Sequence, residues 1–182
     1  YVRPDTWEKE AGIEALKKRF GFAEELIRGY FHPYLYLNRE LIEEKGLSLG
    51  EVEEAVATEL VKLEGVALAV SSTAMAEGRL PDTPLMRSML NNYNPRRSGE
   101  IYVVFQPNWF INDFDGLEVA VTHGSPWRYD TFVPVIFAGA GLKPQKIYRE
   151  VHTVDVAPTL SAAAGTKPPS GTRGKVLVEV MK

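Results

Sequence analysis

The stretch from Ser48 to Val70 constrains this chain most tightly. Ser48 stands three residues before Glu51, the spacing at which the two side chains can close the first turn of a helix on each other's backbone N–H groups. Val52, Val56, Leu60 and Leu63 then recur on one helical face, and Glu64-Gly65 ends the pattern. Val66-Ala67-Leu68-Ala69-Val70 follows as an unbroken apolar run of strand length, the pattern of a strand covered on both faces. Helix, tight turn and buried strand in this order predict an α/β fold.

The flanking segments extend this reading. Asp5 to Phe20 predicts one amphipathic helix, capped by Asp5 or Thr6, carrying Trp7, Ile13, Leu16 and Phe20 on its apolar face and stopped by Gly21. Tyr34 to Leu37, bounded by Pro33 and Asn38, predicts a strand, and Arg39 to Lys45 a short helix before Gly46. The strand Tyr34 to Leu37, the helix capped by Ser48 and the strand Val66 to Val70 form an expected βαβ unit. Pro84 to Asn92 predicts a further helix. After the turn-rich Asn94-Pro95-Arg96-Arg97-Ser98-Gly99, strand-like segments come closer together: Ile101 to Gln106, Leu117 to Thr122, Val133 to Ala138 and Lys146 to Val151. Asp155 to Ala164 predicts a small-residue helix, and Val176 to Val180 ends the chain in strand-like sequence. The expected division is an inserted, cap-like α/β lobe at 1–98 and a second part at 99–182.

Charge narrows the partners. The 24 acidic and 21 basic residues leave a net charge of −3, and the basic ones are scattered, which argues against nucleic acid as a partner. No apolar run reaches the roughly 18 residues of a membrane span, and the N-terminal residues lack the layout of a signal peptide. Cysteine is absent, so any metal would use His, Asp or Glu. Tyr1 opens the sequence directly into a helical pattern, as expected of a piece of a longer protein.

Three histidines carry most of the candidate chemistry. His32 precedes Pro33 with no acidic residue beside it, and a structural or surface role is expected. His152 ends a strand-like segment close to Asp155, which leaves both a sheet-edge role and a site role open. His123 follows the predicted strand Glu118 to Thr122 and enters a loop with Gly124, Ser125 and Pro126, the position at which open α/β sheets carry ligands and metals. Asp130, in the same loop, is a candidate partner for the second nitrogen of a metal-bound imidazole. From these residues alone, His123 reads first as an ordinary loop histidine, with a ligand role left open. Arg96 and Arg97 could hold a phosphate, or be solvated turn residues.

Four segments in order carry a family resemblance. THGSPWRYDTFVPVIFAGAGL (Thr122 to Leu142) resembles the His-Gly segment of the alkaline phosphatase superfamily, in the phosphate-monoesterase branch related to nucleotide pyrophosphatases and type I phosphodiesterases. HTVDVAPTLSAAAG (His152 to Gly165) resembles that family's Thr-Asp-Ile-Ala-Pro-Thr-Leu segment at the expected distance. YLYLNRELIEEKGLS (Tyr34 to Ser48) and NNYNPRRSGEIYVVFQPNWF (Asn91 to Phe110) fit the same branch. Phe132 departs from it, standing where members often have histidine.

The resemblance implies a partial alkaline-phosphatase-like core with a mixed, mainly parallel sheet. It implies a hydrolase of phosphate esters with two zinc ions and a threonine or serine nucleophile, in which His123 is a zinc ligand. The nucleophile and the other ligands have no match here and are expected N-terminal to Tyr1. This chain would then be the C-terminal portion, inactive alone and at most a weak zinc binder, with the N-terminal remainder as its partner, possible self-association, and a periplasmic or secreted location. Asp155 and Thr159 match the family segment; the Asp155 side chain is expected chiefly as a helix cap. The alternative is a non-catalytic α/β binding or interaction module without the nucleophile.

Overall fold

Helix α3, Leu49–Leu60, begins where its cap predicts, with the Ser48 hydroxyl accepting from the Glu51 N–H at 3.5 Å. Val52, Val56 and Leu60 are fully buried along its inner face. The computed structural model describes residues 1–114, 116–139 and 141–181. They form two compact units, Tyr1–Thr131 and Phe132–Lys182.

The first unit is built on a four-stranded sheet of β1 (Ile27–Phe31), β2 (Tyr34–Leu37), β3 (Val66–Ser71) and β4 (Ile101–Phe105), in the order β1-β2-β4-β3. Every neighbouring pair is antiparallel. The expected βαβ unit is therefore split. Strands β2 and β3, joined through α2 (Arg39–Glu44) and α3, run in the same direction, but β4 lies between them and opposes both. The α/β class holds, while the described ladders contain none of the parallel neighbours expected.

Strand β4 shows why its sequence is apolar at every position. Ile101, Val103 and Phe105 join the larger core with Val52, Val56, Leu60, Ile13 and Trp7, whereas Tyr102 and Val104 join a second cluster with Val70, Met75 and Met89. Successive side chains of a strand point to opposite faces, so a strand covered on both sides carries no polar alternation. The helices α4 (Ser72–Ala76) and α5 (Pro84–Asn92) follow β3, and Met75 and Met89 from them fill the second cluster.

The helix expected over residues 5–20 is divided. Pro4–Lys9 is a 3-10 segment, Glu10 is extended (φ −65°, ψ 141°), and α1 runs Ala11–Phe20, closed by Gly21 in the left-handed conformation at φ 74°. The break has a tertiary use. Glu8 accepts the backbone N–H groups of Leu26 (3.0 Å) and Ile27 (2.8 Å) and pairs with Lys17 at 2.7 Å, which ties the first segment to the start of β1. Strand β1 carries no clear pattern in the sequence, since it is an edge strand with an irregular register around Arg28 and a largely exposed face.

The predicted change of texture at Asn94–Gly99 is a turn that leads straight into β4, and the compact unit continues to Thr131. Of the strand expected at Leu117–Thr122, only β6 (Leu117–Glu118) forms, paired with β5 (Asp113–Phe114). The short helix α6, Arg128–Thr131, ends the unit.

In the second unit the segments 133–138, 146–151 and 176–180, expected as strands, have no ladder among the described residues. Strand conformation needs a neighbour to take its N–H and C=O groups, and apolar sequence alone does not supply one. Ile136 is 81% and Tyr148 90% exposed. The organised part is a 3-10 turn at Thr153–Asp155, helix α7 (Val156–Ala163) and a 3-10 turn at Val178–Met181. Asp155 and Thr159 hold it together, with Asp155 accepting from the N–H groups of His152 (2.9 Å) and Lys175 (2.7 Å) and the Thr159 hydroxyl accepting from Leu177 N–H at 2.9 Å. Both are buried, although polar, because each oxygen has a backbone partner.

Candidate functional site

His123 is exposed in a loop that leaves β6 and returns through α6. Upstream, Val119 N–H donates to Asn112 C=O at 2.8 Å, and from there the backbone runs without further strand to His123. Gly124 follows in a left-handed conformation at φ 99°, which a side chain would strain, so the glycine is what lets the chain turn directly after His123. Three contacts fix the downstream side. Asp130 Oδ2 accepts Ser125 N–H at 2.9 Å, the Trp127 indole donates to Phe105 C=O at 2.8 Å, and Asn108 N–H donates to the Tyr129 hydroxyl at 3.0 Å. The Trp127 bond joins the loop to the end of β4.

His123 and Asp130 both line one concavity of about 690 Å³ in this unit. Its walls are largely apolar, with Phe105, Trp109, Phe110 and Ile111 among them, and His32, His123, Ser125 and Asp130 are among its polar lining residues. That combination is the usual chemistry of a ligand site. Within it, burial pushes the Tyr102 phenol up to about 12.

His32, expected in a structural or surface role, also lines this concavity. Its Nδ1 lies 2.9 Å from the Tyr30 hydroxyl. By accessible surface the residue is exposed at the hairpin tip. Burial holds its pKa below the ordinary value, and an interaction with the Gly124 backbone pulls the other way. One signal could have pointed to it: Tyr30 and His32 are two residues apart at a strand end and so share a face. Trp127 and Tyr129 gave no local signal, since their contacts are with β4 and its following turn, about 20 residues earlier.

Arg96 and Arg97 are exposed in the turn before β4, where Asn94 takes both backbone N–H groups, at 3.0 Å each, through its side chain and its carbonyl respectively. His152 is in the second unit, with its N–H on Asp155. The Asp155 side chain caps from inside the 3-10 turn, reaching back to His152 rather than forward into α7. Phe132 is 71% exposed.

Zinc in a catalytic site takes three protein ligands and keeps a position open. Among the described residues, no group of three or more His, Asp or Glu side chains is placed to hold a metal ion. His123 can fill one ligand position, and the described residues do not complete a site around it.

No protein-family model matches the chain. It is 31% identical over 167 residues to alkaline phosphatase PafA of Elizabethkingia meningoseptica, an alignment covering 91% of the chain and 30% of that protein. It is 32% identical over 144 residues to alkaline phosphatase PhoV of Synechococcus elongatus, covering 79% of the chain and 25% of the relative. A Myroides odoratus protein named calcium-transporting ATPase is 35% identical over 169 residues, covering 93% of the chain and 30% of that protein. The crystal structure of wild-type PafA superposes with a TM-score of 0.80 at 30% identity, covering 98% of this chain and 33% of PafA. The chain thus spans about a third or less of the length of these relatives. Agreement in sequence and in fold over nearly its whole length places this chain in the alkaline phosphatase superfamily.

Proposed function

We propose that this chain is the C-terminal portion of a zinc-dependent hydrolase of phosphate esters, monoesters before diesters, and that it supplies His123 as one zinc ligand. The observation that carries the reading is the placing of His123, exposed on a loop pinned through Asp130 and lining a concavity, in a chain similar to alkaline phosphatases over most of its length. Two zinc ions in the intact enzyme would stabilise the attacking and leaving oxygens, with a threonine or serine nucleophile outside this chain.

The chain's own residues do the holding. Gly124 turns the backbone directly after His123, Asp130 fixes Ser125 one residue further on, and Trp127 fastens the loop to β4. A ligand held this way loses little freedom when the ion binds, which raises affinity. The lobe reading of residues 1–98 belongs to the same proposal, with β4, just beyond it, completing the lobe's sheet. The exposed apolar side chains of Val121 in the first unit and, separately, of Ile136 and Tyr148 in the second support apolar surfaces covered by the N-terminal remainder or, in its absence, by self-association. Alone, the chain is expected to bind zinc weakly and to lack turnover. A periplasmic or secreted location is part of the reading, and no described helix is long and apolar enough to cross a membrane.

The test is His123→Ala in the intact enzyme, measuring zinc per chain and hydrolysis of an aryl phosphate. Loss of one zinc and a fall in turnover by orders of magnitude, with the fold kept, are expected. Two zinc ions and near-normal turnover would remove His123 from the site. The alternative of a non-catalytic module is decided by the coding sequence upstream of Tyr1, which on the present reading contains a Thr- or Ser-bearing segment and an Asp-His-Gly motif.

A further inference from the structure

His32 follows β1 at the tip of the β1-β2 hairpin, far in sequence from His123 but against the residue next to it. We propose that His32 is a positioning residue for the loop that carries His123, with Tyr30 setting the ring so that its Nε2–H is directed at the Gly124 backbone. The inference rests on the reading of His123 as a metal ligand.

Three observations carry it. Nδ1 is 2.9 Å from the Tyr30 hydroxyl, within reach for the phenol to donate to it, and on this proposal it does. An uncharged imidazole has one donor and one acceptor nitrogen. With Nδ1 accepting, the ring proton sits on Nε2. Next, the ring is held in place by aromatic neighbours, its centroid 6.1 Å from Tyr30 and 5.7 Å from Phe105. Finally, Nε2 would be the nearest atom to a Cβ on Gly124, at 3.9 Å, so the bare backbone is what the imidazole faces.

The position matters more than the strength of one contact. The loop is pinned upstream at Val119 and downstream at Ser125, Trp127 and Tyr129. His32 acts between these, at the peptide that adjoins His123. Restraining that peptide limits the rotation that would swing the His123 side chain away from a bound ion. Contacts that orient a metal ligand in this way typically change affinity or activity by about 10- to 100-fold.

Two substitutions in the intact enzyme separate positioning from packing. His32→Phe keeps a ring between Tyr30 and Phe105 but removes both nitrogens. His32→Gln gives up the ring and keeps an N–H that can reach Gly124. The readouts are zinc affinity by competition with a chelator, kcat and KM separately on an aryl phosphate, thermal stability, and hydrogen exchange of the peptide spanning 120–127. His32→Phe is expected to weaken zinc and lower kcat by roughly 10- to 100-fold, with a smaller change in KM, unchanged melting and faster exchange in the loop. His32→Gln is expected to recover most of the zinc affinity and kcat. Wild-type zinc affinity and kcat in His32→Phe would overturn the proposal. So would equal losses in both variants that track a loss of thermal stability, since packing alone would then be the role.

His123→Ala keeps the two levels apart. If it loses zinc while His32→Phe does not, the positioning role fails and the ligand role stands. If it keeps both zinc ions, the ligand role fails and the metal part of this proposal with it.

Discussion

Glu53 is a fully buried carboxylate on α3, and substituting it tests how the sheet's first layer is joined to α4. Its oxygens accept from the Ser72 hydroxyl at 2.6 Å and from Thr73 N–H at 3.0 Å. Thr73 N–H lies in the first turn of α4, where helix donors have no partner within the helix. Glu53 therefore serves α4 from a different element. A hydrogen bond to a charged group contributes about 1.5–3 kcal/mol, and stranding a buried donor costs about 1–3 kcal/mol. Glu53→Gln keeps the shape and one oxygen for Thr73 N–H, while its amide can donate to the Ser72 hydroxyl, which must then place its own hydrogen elsewhere. A loss of about 1–3 kcal/mol follows from the charge assistance given up. Glu53→Ala strands both donors, at about 1–3 kcal/mol each, and leaves a void, for a loss of roughly 3–5 kcal/mol. For a protein of this size each kcal/mol moves the melting temperature by about 2–4 °C, so the alanine variant should melt roughly 6–20 °C lower. Chemical denaturation of both variants against the parent measures it. If Glu53→Gln were as stable as the parent or more so, the cost of burying the carboxylate would offset its two bonds, and the reasoning would fail.

Asp130 and Asp155 give two further predictions. Asp130→Asn keeps an oxygen for Ser125 N–H and should lower zinc affinity and turnover of the intact enzyme towards the smaller end of a roughly 10- to 100-fold range, with Asp130→Ala nearer the larger end. Zinc titration and steady-state kinetics measure this, and unchanged affinity in both would leave Asp130 a turn-forming role only. The N–H groups of Lys175 and His152 hold the Asp155 carboxyl below its ordinary value of 3.8. The unfolded state therefore takes up the proton more readily, so the stabilisation is present above pH 3.8 and is lost as pH falls from there through the lower folded value. Asp155→Asn should flatten that acid limb for the second unit, read by hydrogen exchange of the segment containing α7 at stepped pH. Equal acid sensitivity in parent and variant would contradict the assignment.

What the sequence determined by itself was local. The Ser48 cap, the valine and leucine stripe of α3, and the helix Pro84–Asn92 behind its Thr83 cap all depend on neighbours within one or two turns. Strand β2 and strand β4 were legible for a related reason, since their apolar runs leave them no stable solvent-exposed alternative. His123 was singled out by the segment that follows it and by its place in a loop. Tertiary structure decided everything that needed a partner distant in the chain. The insertion of β4 between β2 and β3, the break of the first helix so that Glu8 can reach Leu26 and Ile27, and the edge strand β1 all follow from long-range pairing that no local pattern encodes. The same holds at the site. His32 meets the Gly124 backbone across about 90 residues, and Trp127 bonds β4 across 22. Apolar sequence at 133–138 and 146–151 shows the converse, for a strand is a property of a pair, and these segments, with no ladder partner among the described residues, keep their composition but not the conformation that composition favours.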